Sequence, residues 1–124
     1  MIDLKKQIEK LKGEEHIQAS FVLWLEELKE QGKNIKYTAI PNSTFTLSMQ
    51  AKTKNILMGL RPGLCDMFLI VNGVPLFLEL KTSYGKVSPS QKEWIAAINS
   101  TQNIRAHVAY SLEEAKSIIE EYAH

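Results

Sequence analysis

Apolar residues recur at helical spacing in the first quarter of the chain. They follow the i, i+4, i+8 pattern from Ile17 to Leu28, which predicts an amphipathic helix over residues 14–31 that ends at Gly32. A shorter apolar pattern at the start of the chain predicts a peripheral helix within residues 1–12. The chain therefore opens with helix rather than strand.

The middle of the chain alternates β-type runs with helix signals. Asn72-Gly73 is the preferred pair for a two-residue hairpin turn, and it separates two strongly apolar runs. Ser88-Pro89-Ser90-Gln91 has the residues of a capping box with proline at the first helical position. The predicted strands are residues 34–40, 66–71, 74–82 and 105–110, and the predicted helices between and after them are 46–57, 89–100 and 111–122. This order predicts an α/β fold, with a mixed sheet covered by helices on both faces, in a single domain over residues 1–124.

The hairpin turn predicts which residues face each other across the two strands. A turn at Asn72-Gly73 places Asp66 opposite Glu79, with Lys81 on the same face two residues further on. Directly opposed side chains have Cβ atoms roughly 4.5–5.5 Å apart, and like charges at that distance are destabilising. Lys81 supplies one positive charge, and a divalent cation shared by the two carboxylates would supply the rest. The simpler alternative is a structural ion pair at the strand end.

Two other polar residues have both a structural and a functional interpretation. Glu14 lies on the buried stripe of the first long helix, where an acid ordinarily only favours the helix N-terminus. It would join the two carboxylates if that turn of helix abuts the strand ends, whereas Glu15 should point more towards solvent. Gln91 is either the partner of Ser88 in the capping box or a polar group beside the acids.

The net charge of +1 is distributed unevenly along the chain. Residues 33–92 hold eight basic and two acidic residues, a net charge of +6, whereas residues 1–32 carry −2 and residues 93–124 carry −3. The two acids are Asp66 and Glu79. A basic middle segment favours a polyanion such as nucleic acid as partner, although basic side chains also simply solvate a surface. The candidate phosphate-binding residues are Lys33, Lys36, Lys52, Lys54, Arg61 and Lys86.

Composition argues against several other classes of protein. Hydrophobic residues make up 44% of the chain, and no apolar run approaches the ~18 residues needed to span a bilayer. The N-terminal segment mixes charged and apolar residues, so we expect no signal peptide and no membrane attachment. A single cysteine, Cys65, excludes an internal disulfide and favours a reducing, cytoplasmic compartment. The histidines lack ligand spacing, and no glycine-rich nucleotide fingerprint supports a small-molecule enzyme.

Several motifs occur together in the order and spacing of a known family. They are Glu14-x-x-Ile17-Gln18, Gly59-x-x-x-Gly63-x-x-Asp66, Glu79-Leu80-Lys81 and Ser88-Pro89-x-Gln91. Together they resemble the VRR-NUC family of the PD-(D/E)xK nuclease superfamily, in its free-standing phage and bacterial form. The resemblance extends over about a hundred residues, from Glu14 to the start of the last predicted helix.

The resemblance implies a fold, a chemistry and a set of site residues. The expected fold is a restriction-endonuclease-like mixed sheet flanked by helices, and the expected activity is hydrolysis of DNA phosphodiester bonds with Mg²⁺ or Mn²⁺. The expected metal ligands are Glu14, Asp66, Glu79 and the Leu80 carbonyl, and the expected catalytic residues are Asp66, Glu79, Lys81 and Gln91. A homodimer acting on branched DNA such as a Holliday junction is implied as well, since a two-fold pair of sites suits a symmetric junction.

One position departs from the family pattern, and one alternative function stays open. Cys65 stands where the family usually has proline before the metal-binding aspartate; proline is not a ligand, so activity is expected to survive.

The alternative function is a catalytically silent nucleic-acid-binding module on the same fold. The presence of every expected catalytic residue type disfavours that alternative.

Overall fold

The computed structural model of the protein describes residues 3–41 and 48–123. The predicted stop of the first strand at Asn42-Ser43, the predicted helix start at residue 46 and His124 lie outside the described residues. Among the residues described, none of the helices combines the length and the hydropathy that crossing a bilayer requires.

Five helices and four strands follow one another in the predicted order in the described ranges. Each boundary lies within a few residues of the one that the apolar pattern predicts. The elements are α1 (Leu4–Glu9), α2 (Gly13–Glu30), β1 (Ile35–Ala39), α3 (Met49–Leu57), β2 (Met67–Val71), β3 (Val74–Leu80), α4 (Pro89–Asn99), β4 (Arg105–Ala109) and α5 (Leu112–Tyr122). The predicted α/β class with helices on both faces of a mixed sheet is confirmed.

The strands form one sheet in the order β1-β2-β3-β4. β1 and β2 are antiparallel, β2 and β3 form the predicted hairpin, and β3 pairs with β4 in parallel. The hairpin register is the predicted one, since Phe68 faces Phe77 and Met67 faces Leu78. Asp66 and Glu79 are the next opposed positions along this register, just where the ladder ends.

One face of the sheet carries the main core. Its inward residues alternate along the hairpin as period two requires, and they pack under Phe21 and Leu25 of α2 and Ile119 of α5. Every hairpin residue on this face is buried: Met67, Leu69, Val71, Leu76, Leu78 and Leu80. The hairpin residues on the face that two helices cover are thus all apolar, and the charged residues Asp66, Glu79 and Lys81 alternate onto the other side.

The opposite face is covered mainly by α4. A smaller buried cluster forms there from Cys65, Ile98 and Ala106, with Phe77 packed against it. α1 packs against α2 and buries none of its residues, as expected of a peripheral helix. α3 also buries no residue, and its apolar side chains, such as Leu57 at 80% exposed, face solvent.

The loop that leads into Asp66 is held against the first turns of α4. The indole Nε1 of Trp94 donates a hydrogen bond of 3.0 Å to the carbonyl of Pro62. Gly63 has φ +102°, and a Cβ atom there would lie 2.7 Å from the backbone of Ser90. Only glycine allows this approach of loop to helix, and the approach fixes where the chain enters β2.

Replacing Gly63 should therefore cost more than replacing a glycine with the same backbone conformation but open surroundings. Gly59 is the matched control, since its φ is +100° and nothing lies within 4 Å of its Cβ position. Both alanine substitutions carry the left-handed backbone cost of about 1–2 kcal/mol. Gly63→Ala should add an overpacking cost of about 1–3 kcal/mol, measurable by urea unfolding. Equal losses of stability in the two variants would show that the loop before Asp66 shifts to accommodate a Cβ atom without added cost.

Candidate active site

The site lies at the end of the hairpin that is furthest from its turn. Asp66 immediately precedes β2, and Glu79 is the second-last residue of β3. Glu79 is 1% exposed, and its Oε1 atom is buried with no hydrogen-bond partner. Asp66 is half-buried and accepts a hydrogen bond of 2.7 Å from the backbone N–H of Leu80. The predicted opposition of two carboxylates is therefore present.

Lys81 provides the positive charge next to these acids. Its Nζ atom lies 3.4 Å from Glu79 Oε2 and 3.9 Å from Glu14 Oε1, and its side chain is only 12% exposed. The backbone N–H of Lys81 bonds to the carbonyl of Ala109 at 2.8 Å, which continues the parallel pairing with β4 beyond Leu80. The lysine is thus held in place at both its backbone and its ammonium group.

Glu14 is the helix acid that joins the cluster. It lies in the first turn of α2, and carboxylate oxygens of Glu14, Asp66 and Glu79 all lie within 4.8 Å of one another. Glu14 is exposed rather than buried, which differs from its predicted place on the buried stripe, because it stands at the solvent end of that stripe. Glu15 points elsewhere and lines the groove between α1 and α2.

Gln91 serves both of the roles predicted for it. Its Oε1 accepts a hydrogen bond of 2.8 Å from the Ser88 backbone N–H, and the Ser88 hydroxyl accepts one of 3.2 Å from the Gln91 N–H, which completes the capping box. Its Nε2 donates to Glu79 Oε2 at 2.6 Å. The cap therefore orients the amide, and the amide holds one oxygen of the buried acid.

The electrostatics of the pair follow from burial. Burial, and after it the charge of Asp66, raises the pKa of Glu79 from its ordinary 4.5 to about 7. Burial also raises the pKa of Asp66, and the hydrogen bond from the Leu80 N–H opposes part of that rise. Lys81 favours the charged form of both acids. The single positive charge of Lys81 does not offset the rise in pKa that burial causes in the two carboxylates.

The donor set fits a hard divalent cation. Oxygen ligands from carboxylates are those that Mg²⁺ and Mn²⁺ prefer, and three acids offer them here within one small volume. The Oε1 atom of Glu79 is a buried acceptor without a donor, an arrangement that costs about 1–3 kcal/mol unless something positive binds there. The three acids could therefore hold a metal ion. The proposed contribution of the Leu80 carbonyl stays a prediction.

The candidate phosphate-binding residues do not all lie near this cluster. Lys36 pairs across the sheet with Ile70, four residues from Asp66, which is roughly 13 Å along the strand. Lys33 lies beyond that end of the sheet, and both are therefore remote from the acids. Lys52 and Lys54 are on α3, where they lie with the exposed apolar side chains. Their role in binding phosphate stays a prediction.

Arg61 and Lys86 differ in their contacts with the rest of the protein. The Arg61 guanidinium donates to the carbonyls of Ile56 and Leu60, which satisfies the end of α3. Lys86 is exposed in the segment between Lys81 and α4, close in sequence to the cluster. The roles of Arg61 and Lys86 in binding phosphate stay predictions as well.

Cys65 and the described histidines are not among the residues of the acid cluster. Cys65 is buried, and desolvation raises the pKa of its thiol to about 12, so the nucleophilic thiolate is scarce near neutral pH. His16 is on an exposed turn of α2, and His107 is on β4, where its Nε2 lies 2.7 Å from the Tyr122 hydroxyl.

Two features of the site were not predicted from the sequence. The Leu80 backbone N–H restrains Asp66, a contact that depends on strand ends for which side-chain type gives no signal. The second is the turn over residues 82–85, which packs directly on Lys81. The presence of Gly85 four residues after Lys81 was the one available sign of such a turn.

A mixed sheet with two acids and a lysine at adjacent strand ends defines a nuclease-like α/β protein, and comparison with known proteins agrees. The chain matches the VRR-NUC domain over residues 3–113 and belongs to that nuclease family. A solved structure described as a VRR_NUC domain protein is 22% identical, covers 90% of this chain and 89% of its own, and superposes with a TM-score of 0.63. Another, described as a VRR_NUC domain, is 20% identical over 88% of this chain and 96% of its own, with a TM-score of 0.56. No curated protein matches significantly.

The raised pKa of Glu79 predicts a pH-dependent stability in metal-free buffer. The unfolded chain releases this proton near pH 4.5 and the folded chain only near pH 7, so the stabilisation is fully present below 4.5 and is lost as the pH rises through 7. Glu79→Gln, which is neutral at every pH, should flatten the melting-temperature profile between pH 5 and 8 measured with EDTA. Glu120→Gln, at an exposed glutamate, is the control. If Glu79→Gln leaves the melting-temperature profile unchanged, the pKa of Glu79 is not raised in the folded protein.

Proposed function

We propose that this protein is a Mg²⁺- or Mn²⁺-dependent DNA endonuclease that acts on branched DNA such as Holliday junctions. The observation that carries the proposal is the buried Glu79 carboxylate, which has an oxygen without a partner and stands opposite Asp66. A sheet selected only for stability has no reason to bury two opposed acids. The family membership and the basic middle segment support the same activity.

Each residue of the cluster has a distinct task in this proposal. Asp66, Glu79 and Glu14 would hold the metal, which when bound stabilises charge on the phosphate and lowers the pKa of water. Lys81, whose Nζ atom lies 3.4 Å from Glu79 Oε2, would orient or activate the attacking water. Gln91 acts as a positioning residue, because its amide restrains Glu79 Oε2.

Two parts of the proposal, the branched substrate and the homodimer, rest on the family resemblance. A two-fold pair of sites would address two strands of a symmetric junction in one complex. α3 and the residue that caps it offer a surface of suitable character for a second copy of the chain, since Met49, Leu57 and the cap residue Met58 are all at least 75% exposed. The described residues form one sheet with its helices and include no separate module for reading base sequence, which favours recognition of DNA shape.

Cleavage of branched and plasmid DNA with Mg²⁺ or Mn²⁺ tests the proposal. Lys81→Met keeps the aliphatic packing but removes the charge, so it should bind junction DNA normally in gel shifts and lose about 100-fold or more of the cleavage rate. Lys5→Met, at an exposed lysine on the peripheral helix α1, is the control for loss of a single positive charge outside the cluster. Asp66→Asn should weaken metal binding in calorimetry.

Two results would contradict the proposal. Wild-type protein that binds DNA without cleaving it in either metal would favour the catalytically silent binding module. Cleavage that persists in both EDTA and Lys81→Met would place the chemistry elsewhere on the molecule.

The phosphate contacts predict a specific salt dependence. Each phosphate contact contributes about −0.9 to the slope of log affinity against log salt on duplex DNA. If Lys52, Lys54 and Lys86 each hold one phosphate, replacing all three by alanine should flatten the slope by about 2–3 units. The preference for branched over linear DNA should change little, because phosphate contacts carry no base information.

A charge-matched triple variant on the peripheral helix is the control for this measurement. Lys5, Lys6 and Lys10 lie on or beside α1 and are not part of the acid cluster, and their replacement by alanine changes the net charge equally. An unchanged slope in the first variant would mean that its lysines only solvate the surface. The DNA path would then be sought along Lys33, Lys36 and Arg61.

A further inference from the structure

An exposed aromatic side chain lies on the turn that directly follows the Glu79-Leu80-Lys81 segment. Tyr84 is 94% exposed, more than any other exposed large hydrophobic residue of the described ranges. Single exposed apolar residues are ordinary on protein surfaces. Tyr84 differs because of what holds its backbone and what surrounds it.

The turn over residues 82–85 packs on Lys81, the proposed catalytic lysine. It also lies close to Glu14, the proposed metal-binding acid of α2. The Gly85 N–H bonds to the Thr82 carbonyl at 2.9 Å, which closes a four-residue turn with Tyr84 in third position. A Cβ atom on Gly85 would lie 3.2 Å from both Cβ and Cδ of Lys81. Thr82 Cγ2 lies 3.9 Å from the Cβ position of Gly13, the neighbour of Glu14. Tyr84 is therefore held at the rim of the acid cluster.

A groove with two lysines in its lining adjoins the same turn, since Gly85 is one of its lining residues. Its lining residues include Gly85, Lys86 and Lys92, with apolar Ile95 and Ala96 from α4, and none of its lining residues is acidic. A basic groove beside an exposed aromatic ring is the combination that binds unpaired nucleic-acid strands, with cations along the backbone and rings against the bases.

We infer that Tyr84 stacks on an unpaired base next to the phosphate that is cleaved, and so selects DNA with an unpaired nucleotide at that position. The inference rests on the proposed nuclease function and specifies its substrate class. A base inside a duplex has both faces covered by its neighbours, whereas an unpaired base at a branch point, bulge or strand end offers a free face. The ring then favours such sites over continuous duplex.

Binding to DNA containing 2-aminopurine tests the inference without relying on cleavage. One duplex carries a single unpaired 2-aminopurine, and a second duplex of the same sequence is fully paired; both are titrated with protein in Ca²⁺ buffer. Stacking should quench the fluorescence of the unpaired base. Tyr84→Ala should abolish the quench and weaken binding of the bulged DNA by about 5-fold to 150-fold. Binding of the paired duplex should change by less than about threefold.

Three further variants distinguish base stacking from simple apolar contact and from a disturbed turn. Tyr84→Phe should keep both the quench and the affinity, because the ring remains. Tyr84→Leu should lose the quench, since it offers apolar surface without a flat ring. Ser83→Ala alters the same turn beside Tyr84 and should behave as wild type, while melting temperatures confirm that every variant is folded.

The outcomes distinguish this inference from the proposed function. Equal losses on bulged and paired DNA, or no loss in Tyr84→Ala, would overturn the stacking role. Cleavage by wild type in Mg²⁺ or Mn²⁺ is measured on the same DNAs, and its absence would contradict the nuclease proposal instead. Wild type that binds neither DNA would contradict both.

Discussion

The two-residue turn between β2 and β3 is the constraint on which the rest of the site depends. Asn72 and Gly73 both adopt positive φ, at 52° and 79°, as a tight hairpin turn requires. That turn sets the register, and the register places Asp66 opposite Glu79 at the far end. A slip of one residue would move the core leucines to the other face and separate the two acids. Core packing and the site are thus specified by the same pairing.

Stability and chemistry conflict at the end of this hairpin. The acids are buried by the same packing that forms the core, and the resulting rise in the pKa of Glu79 reflects an unfavourable environment for its charge. Lys81 and the Gln91 amide offset part of that cost. The remaining unpartnered oxygen of Glu79 identifies where a cation would be most stabilising. The conflict is local, since hydrogen bonds from Ile40 to Asp66 and from Lys81 to Ala109 hold both strand ends.

α4 links the site to the surface around it. Its capping box orients Gln91 towards Glu79, and its first turns hold the loop that enters β2 through Gly63 and Trp94. The groove that begins at Gly85 runs along the same helix. Under the proposed function, one helix would therefore position the acids, the loop before them and the DNA strand that leaves them. Such an arrangement would let a small domain combine the proposed catalytic cluster with the proposed binding surface.

The sequence alone determined the element types, the hairpin register and the opposition of Asp66 and Glu79, because each follows from local turn chemistry and period-two alternation. It also identified Gln91 as either a cap or a site residue. Only the tertiary structure decided that it is both, that Glu14 rather than Glu15 reaches the acids, and that Lys33 and Lys36 lie at the opposite end of the sheet. These facts depend on how α2 and α4 pack on the sheet. Packing brings together residues far apart in sequence, so no local pattern specifies it.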